Sequence, residues 1–326
     1  MEYRKFGNTS LRVSEIGFGA WGIGGSSMAG DIPIGWGSVD DKVSEEAVKK
    51  ALDLGVNLFD TADFYGLGHS ERLLGKVLGN RQDVILASKL GHRLDSNGAI
   101  YTDYSAKHII RSCEESLRRL NREVVDYYQL HTAKVADLEK GECVEAMEHL
   151  KEKGKIRYWG VSLNTFSPEA EAEYLFSHKL ADGMQLVLNI MNQQALPIVE
   201  KSQHLGYGIL ARMPLQFGLL TGKFSKSTRF PKDDHRAFRL PPELLATALD
   251  TLEKDVWHLC ETDGLSKTEL AMSFILSFKG VSSVIPGIKT PRQALQNTQG
   301  IRPLAKEDLD YLRSLYPSPF KSLLGQ

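Results

Sequence analysis

The feature that most constrains the fold is an alternation, repeated along the chain, of short β-rich runs and amphipathic helical patterns. Some β-rich runs, such as Val84–Ala87, are continuously apolar, which is typical of parallel strands buried on both faces. The pattern predicts strands at Ser14–Trp21, Asn57–Ala62, Asp83–Leu90, Val124–His131, Ile156–Ser162, Gly183–Asn189, Gly208–Pro214 and Ser282–Gly287. It predicts helices at Ser44–Gly55, Ser70–Leu78, Ala106–Leu120, Glu142–Lys153, Pro168–Ser177, Pro197–His204, Pro242–Cys260 and Pro291–Asn297. Because the count is eight, we expect a closed (β/α)8 TIM barrel, an α/β fold, rather than a doubly wound sheet.

Three segments lie outside this repeat. Tyr3–Val13 is predicted to form an N-terminal hairpin at the barrel floor, Leu215–Pro241 a long loop after strand seven, and Lys306–Tyr316 a C-terminal helix. Ser105 and Ser167 are predicted helix N-caps. No second zone of composition interrupts the repeat, so we expect residues 1–326 to form a single domain.

The composition is that of an ordinary globular protein. Lys plus Arg number 40 and Asp plus Glu 41, a net charge of −1, so the chain carries no basic excess of the kind that binds nucleic acid or anionic membranes. The three cysteines, Cys113, Cys143 and Cys260, are far apart, which argues against a disulfide framework or a zinc site. With no signal-peptide pattern and no membrane-spanning apolar run, we expect a soluble cytoplasmic protein without a bound metal.

A Gly-rich stretch, Gly17–Gly22, matches the dinucleotide fingerprint G-x-G-x-x-G, with Asp40 and Asp41 about twenty residues further on. The fingerprint must open a helix that holds the pyrophosphate. Here the chain stays irregular until Ser44. We therefore expect a Gly-rich loop over a barrel mouth rather than a Rossmann site.

Polar residues at the predicted strand ends indicate where chemistry takes place, because TIM-barrel active sites lie at the C-terminal ends of the strands. Asp60, Lys89 and His131 end strands two, three and four, and Tyr65 follows Asp60 on the next loop. A lysine ammonium beside a tyrosine hydroxyl stabilises the phenolate, and an aspartate keeps that lysine charged. Such a tyrosine can protonate a carbonyl oxygen, while a histidine donates a hydrogen bond to the same atom.

Several motifs resemble those of the aldo-keto reductase superfamily, in particular its bacterial NADPH-dependent members. Asp60–Gly66 resembles the motif D-T-A-x-x-Y-G, and Gly68–Gly75 its continuation. Ser88-Lys89 resembles the end of strand three and Asp126–His131 the D-x-x-x-x-H of strand four, and Lys153–Ser162 resembles the run entering strand five. The resemblance covers nearly the whole chain, from Arg4 to Asn297.

The resemblance implies an NADP(H)-dependent reductase that converts aldehydes or ketones to alcohols by hydride transfer. By this resemblance Tyr65 is the general acid, Lys89 and Asp60 tune it, and His131 orients a small-molecule carbonyl substrate. It also implies a set of cofactor-binding residues, namely Trp21, Ser162, Asn164, Gln185, Arg212, Pro214, Leu215, Gly218, Leu220, Lys223, Gly287, Lys289, Thr290, Gln293 and Asn297. We expect NADPH (NADP+) rather than NADH, because Lys289 and a helix start near Pro291 suit the extra phosphate.

Two departures from the family pattern stand out. Arg212 replaces an aromatic residue that many relatives stack on the nicotinamide, so Arg212 either stacks there itself or holds a phosphate, and Trp21 is an alternative stacking partner. Ser26–Ser38 lengthens the first loop and is a candidate wall of the substrate pocket. Two other functions remain open: an NADP-dependent sugar or polyol dehydrogenase, and a cofactor-sensing regulatory protein similar to potassium-channel β subunits.

Overall fold

The computed structural model describes residues Met1–Leu324, and eight parallel strands form its central sheet. They are β1 (Phe18–Gly19), β2 (Leu58–Asp60), β3 (Ile85–Leu90), β4 (Val125–His131), β5 (Ile156–Ser162), β6 (Gly183–Val187), β7 (Gly208–Arg212) and β8 (Ser283–Ile285). Neighbours in sequence pair in space, and parallel bridges Ile16–Val284 and Gly19–Gly287 join the last strand to the first. The sheet is therefore a nearly closed barrel, which confirms the predicted fold class.

Helices surround the barrel. The α-helices are Asp41–Asp53, His69–Leu78, Ala106–Leu120, Val135–Glu139, Glu142–Glu152, Glu169–His178, Leu196–Leu205, Arg236–Arg239, Pro242–Asp255, His258–Asp263, Lys267–Leu276, Pro291–Gln296, Lys306–Ser314 and Lys321–Leu323. Gly22–Gly24 and Gln216–Thr221 are 3-10 turns, and Tyr316–Phe320 is a π turn. The larger apolar cluster fills the space between strands and helices. No helix within residues 1–324 is both long and apolar enough to cross a membrane.

The predicted N-terminal hairpin is confirmed, with strands Tyr3–Lys5 and Arg12–Ser14 paired antiparallel. It inserts Phe6 into the floor of the barrel, where the ring packs edge-on against Tyr127 at 4.8 Å between centroids. Glycines make room for this ring: a Cβ on Gly183 would lie 2.7 Å, and one on Gly208 2.5 Å, from Phe6 ring atoms. The floor is thus closed by side-chain packing, and the opposite end is left open for a site.

Three corrections to the predicted elements concern the first strand, the helix from Pro242 and the cap at Ser167. The first strand is Phe18–Gly19 rather than Ser14–Trp21, because Ser14 belongs to the hairpin. The predicted helix Pro242–Cys260 breaks at Val256, whose φ of −123° is not helical. Ser167 does not cap a helix, since that helix begins at Glu169, whereas Ser105 does cap its helix by accepting a hydrogen bond from His108 N.

Other segments gain structure that the sequence patterns left unassigned. The long loop after β7 contains a 3-10 turn, Gln216–Thr221, and a short α-helix, Arg236–Arg239. Short hairpins form within the first loop (Met28–Ala29 with Ile32–Pro33) and after β3 (His92–Leu94 with Ile100–Thr102). The fingerprint-like stretch leads into a single 3-10 turn, and Asp40 caps the Asp41–Asp53 helix instead, accepting from Lys42 N at 2.8 Å. Cys113, Cys143 and Cys260 are free thiols.

Candidate active site

The polar strand ends meet at the open mouth of the barrel. Asp60 ends β2, Lys89 lies next to the end of β3 and His131 ends β4, while Tyr65 lies in the turn after β2. Asp60, Tyr65 and His131 line one cavity of about 470 Å³, and Lys89 is buried behind them. The four residues that the sequence singled out are therefore neighbours in space.

A buried ion pair forms the base of this group. Lys89 Nζ donates to Asp60 Oδ2 at 2.7 Å and to the Thr61 carbonyl at 2.7 Å. The other carboxylate oxygen, Oδ1, accepts from Gln185 Nε2 at 2.8 Å and from Gln129 Nε2 at 3.2 Å. Burial acts to lower the pKa of Lys89, but the Asp60 carboxylate that it contacts outweighs burial, and the net pKa is raised. Lys89 is therefore held as an ammonium ion.

Tyr65 lies over this ammonium group. Lys89 Nζ is 4.9 Å from the centre of the Tyr65 ring. The Trp21 ring stacks on the Tyr65 ring, with 5.9 Å between the centroids. The turn that carries Tyr65 requires the following glycine: Gly66 has φ of 61°, and a Cβ there would collide with the Gly24 carbonyl. The local sequence thus fixes the backbone from which the phenol reaches the cavity.

His131 faces the same cavity as a neutral imidazole. Burial, followed by the charges of His92, Lys89 and Arg212, lowers the pKa of His131 well below its usual range. The His92 ring stacks on His131 at 4.4 Å, and His92 Nε2 is 2.8 Å from Thr132 Oγ1. The His131 carbonyl accepts from the Tyr104 hydroxyl at 2.6 Å. The His131 ring is therefore held by stacking against His92, and its backbone is held by Tyr104.

Two loops meet over the cavity. Trp36, in the first loop, forms an antiparallel bridge with Asp234 in the loop after β7, and His235 N donates to the Gly35 carbonyl at 3.3 Å. Trp36 and other residues of Ser26–Ser38 line the cavity, as do Trp21, Phe64, Phe217 and Phe238. The long first loop is thus one wall of the pocket, and aromatic rings from several segments surround the cavity.

Ten of the residues expected to bind cofactor line this cavity. They are Trp21, Gln185, Arg212, Pro214, Leu215, Gly218, Lys223, Gly287, Gln293 and Asn297. Gly287 borders open space, since a Cβ there would meet no atom within 4 Å. The cavity therefore extends from Tyr65 and His131 to the region of Lys223 and Asn297.

The structure places the other five elsewhere. Leu220 is fully buried in the core, and Ser162 is buried with its hydroxyl unpartnered among residues 1–324. Asn164 Oδ1 accepts from Phe166 N at 2.9 Å. Thr290 caps the helix Pro291–Gln296, and Lys289 Nζ donates to the Trp36 carbonyl at 3.1 Å. The Lys289 ammonium thus ties down the first loop in this structure.

Arg212 is the last residue of β7, and its side chain extends to the loop after β5. Its Nη2 donates to the Leu163 carbonyl at 3.1 Å and to Thr165 Oγ1 at 2.9 Å. Burial lowers the pKa of Arg212, and the Tyr65 hydroxyl and the Asp60 carboxylate partly offset that effect. The guanidinium therefore lies in the cavity wall beside the loop after β5.

Three of the cavity residues that the sequence patterns did not indicate make specific contacts: Thr165 holds Arg212, His92 stacks on His131, and His235 stacks on Trp21 at 4.6 Å. His92 follows Lys89 by three residues, so its place beyond the end of β3 was a usable signal. His235 lies far along the irregular loop after β7, and its local pattern does not predict that its ring stacks on Trp21.

A parallel (β/α)8 barrel with polar residues gathered at the C-terminal ends of its strands is an architecture typical of enzymes. Comparison of the sequence with known proteins identifies the family. The aldo/keto reductase family model matches residues 15–317. The chain is 34% identical to the aldo-keto reductase YhdN of Bacillus subtilis, over 90% of this chain and 86% of that protein. It belongs to the aldo/keto reductase family, whose members are oxidoreductases that generally use nicotinamide cofactors.

Solved structures agree with this assignment. The holo form of aldo-keto reductase AKR11C1 from Bacillus halodurans has a TM-score of 0.78 and 28% identity, with 97% of this chain and 96% of that chain covered. The glycerol dehydrogenase AKR11B4 from Gluconobacter oxydans has a TM-score of 0.76 and 30% identity, with 96% and 94% covered. Both similarities extend over the whole barrel.

Proposed function

We propose that the protein is an NADPH-dependent reductase that converts aldehydes or ketones to alcohols, with Tyr65 as the general acid. The observation that carries the proposal is the buried Lys89–Asp60 ion pair beneath the Tyr65 ring, with neutral His131 in the same cavity. This set of groups suits a reaction in which negative charge develops on a carbonyl oxygen.

The proton chemistry follows from these contacts. When bound, the reduced nicotinamide supplies a hydride to the carbonyl carbon. Tyr65 donates its hydroxyl proton to the carbonyl oxygen, and the Lys89 ammonium stabilises the phenolate left behind. Asp60 keeps Lys89 charged, and neutral His131 donates a hydrogen bond to the same oxygen. The aromatic walls exclude water from the reacting atoms.

The residues present fit an elongated anionic dinucleotide. Lys223 lines the far end of the cavity, and the charge of Arg292 acts on it. Gln293 and Asn297 supply amide groups there, and Gly287 leaves open space. At the near end, Gln185 Oε1 has no hydrogen-bond partner among residues 1–324, and it supplies an acceptor for a carboxamide. We assign these residues to the cofactor, with Lys223 and Arg292 toward its phosphates.

Titration of the purified protein with NADPH and NADH, followed by fluorescence, tests the cofactor assignment. We expect tighter binding of NADPH, because the extra phosphate adds charge opposite Lys223 and Arg292. Tighter binding of NADH would contradict it.

Oxidation of NADPH with 4-nitrobenzaldehyde, followed by absorbance, tests the reaction. We expect sustained turnover over many equivalents of aldehyde. If cofactor binds but a broad panel of carbonyls and sugars gives no multiple turnover, the reductase proposal fails in favour of a cofactor-sensing binding protein similar to potassium-channel β subunits.

A second candidate is a dehydrogenase that works mainly on sugars or polyols. The similarity to a glycerol dehydrogenase over nearly the whole chain favours it. Rates of glycerol and sugar oxidation with NADP+ at raised pH, compared with carbonyl reduction near neutrality, separate the two directions.

A further inference from the structure

The cavity carries more positive charge than its own residues neutralise. The ionised carboxylate that lines it is Asp60, which is bound to Lys89, and the lining cations are Lys223, Arg212, Arg236 and Arg239. Arg236 is neutralised by Asp234, whose carboxylate it contacts through Nε and Nη2. Within residues 1–324, Arg212 and Arg239 have no carboxylate within 4 Å.

Arg239 is held in place without any acid. Its guanidinium stacks near the rings of Phe217 at 5.3 Å and Phe238 at 5.1 Å. Its Nε is buried and finds no hydrogen-bond partner among the described residues. Burial lowers the pKa of Arg239. Burying a guanidinium nitrogen without a hydrogen-bond partner is costly, so the buried Nε of Arg239 at the cavity wall indicates a place for an anion.

Arg212 and Arg239 belong to the same end of the cavity. Both side chains line the same cavity as Tyr65 and Asp60, and the charge of Arg239 acts on Arg212. Lys223 forms a separate cationic region with Arg292, whose charge acts on it. In the proposed function, Lys223 and Arg292 bind the phosphates of the dinucleotide. Arg212 and Arg239 are then left to bind another anion near the reacting carbonyl.

We propose that Arg212 and Arg239 bind a carboxylate or phosphate carried by the carbonyl substrate, so that the preferred substrates are anionic aldehydes or ketones. The inference rests on the proposed reductase function for its chemistry, although the anion site itself does not require turnover. The planar guanidinium groups suit both oxyanions, and the aromatic residues around them suit an apolar body between the anion and the carbonyl.

Matched aldehydes test the preference. 4-Carboxybenzaldehyde and 4-nitrobenzaldehyde have similar shapes, but only the first is an anion. We expect Arg239→Gln to lower the ratio of kcat/KM for the carboxylate to kcat/KM for the nitro compound by about 10- to 100-fold. Arg239→Lys should restore part of that ratio. The control Arg229→Gln removes an exposed arginine of the same loop, which donates only to backbone carbonyls, and should leave the ratio unchanged.

A binding measurement separates this proposal from the reductase function. The ketone 4-acetylbenzoate is titrated calorimetrically into the NADP+ complex, in which it cannot be reduced, beside neutral 4-nitroacetophenone. Arg239→Gln should weaken only the carboxylate, again by about 10- to 100-fold. If the wild type shows this binding without turnover, the anion site stands and the reductase function fails.

Two results would overturn the anion site. One is an unchanged carboxylate-to-nitro ratio in Arg239→Gln. The other is a loss of NADP+ affinity in Arg239→Gln with equal effects on both aldehydes, which would assign the arginine to the cofactor phosphates.

Discussion

Lys89 Nζ lies 2.7 Å from Asp60 Oδ2 inside the barrel, where the lysine side chain is fully buried and the aspartate side chain is 3% exposed. The amide of Gln185 and that of Gln129 satisfy the remaining carboxylate oxygen. Both charges have been removed from water, so each depends on the other for compensation. The same contact that serves the proposed chemistry is therefore also a structural contact.

Asp60→Asn should destabilise the protein strongly. The substitution leaves Lys89 buried without its counter-ion, and we expect a loss of about 3–5 kcal/mol in the free energy of unfolding. Urea denaturation measures it. The control is Glu173→Gln, which breaks the exposed Lys201–Glu173 pair and should cost less than about 1 kcal/mol. Equal losses in the two variants would contradict the account of the buried pair.

His235 should make the protein sensitive to acid. Its ring is buried among Trp21, Trp36 and Phe217, both ring nitrogens lack partners among residues 1–324, and burial lowers its pKa to about 3. In the unfolded chain the pKa is about 6.5, so between these values the unfolded state binds the extra proton. Stability from this residue is therefore present above pH of about 6.5 and lost as the pH falls toward 3.

His235→Phe should remove that sensitivity, because a phenyl ring preserves the stacking and cannot be protonated. We expect the wild type to lose about 1–2 kcal/mol more than the variant between pH 8 and pH 5. Denaturant midpoints at the two pH values measure the difference. The matched control is His204→Phe at an exposed helical position. A variant that loses as much stability as the wild type would rule out His235 as the source.

Asp234 should hold the two loops together over the cavity. It accepts from the backbone N of Arg236 at 2.9 Å and from its guanidinium, and its backbone pairs with Trp36. Asp234→Asn weakens the ion pair, so we expect faster limited proteolysis between residues 224 and 240. Asp250→Asn, which breaks an exposed pair with Lys226, should leave the cleavage rate unchanged. Equal cleavage of both variants and the wild type would contradict the role of Asp234.

The barrel could be predicted from the sequence because each strand and helix leaves its own pattern of apolar and polar residues in a short segment of the chain. Apolar runs such as β3 and β4 are buried along almost their whole length, and each is followed by an amphipathic helix. Strand ends in a parallel barrel face the same way, so Asp60, Lys89 and His131 converge as expected. The short β1 was overestimated, since the pattern of Ser14–Trp21 does not show that Ser14 pairs with the hairpin.

The contacts of the long loops were beyond sequence reasoning. Trp36 meets Asp234 across nearly two hundred residues, and Lys289 reaches the Trp36 carbonyl. Neither contact leaves a periodic pattern in the chain, because loop conformations depend on tertiary packing. The family pattern predicts Lys289 at a cofactor phosphate. In this structure its ammonium group donates instead to the Trp36 carbonyl in the first loop.

The most direct test of the central claim compares the wild type with Tyr65→Phe in the oxidation of NADPH by 4-nitrobenzaldehyde. We expect kcat to fall by about 10²- to 10⁴-fold while the Kd for NADPH changes by less than about twofold, because the hydroxyl acts on developing charge. Tyr101→Phe, an exposed tyrosine outside the cavity lining, should keep the wild-type rate. A near-wild-type rate in Tyr65→Phe would contradict the assignment of Tyr65 as the general acid.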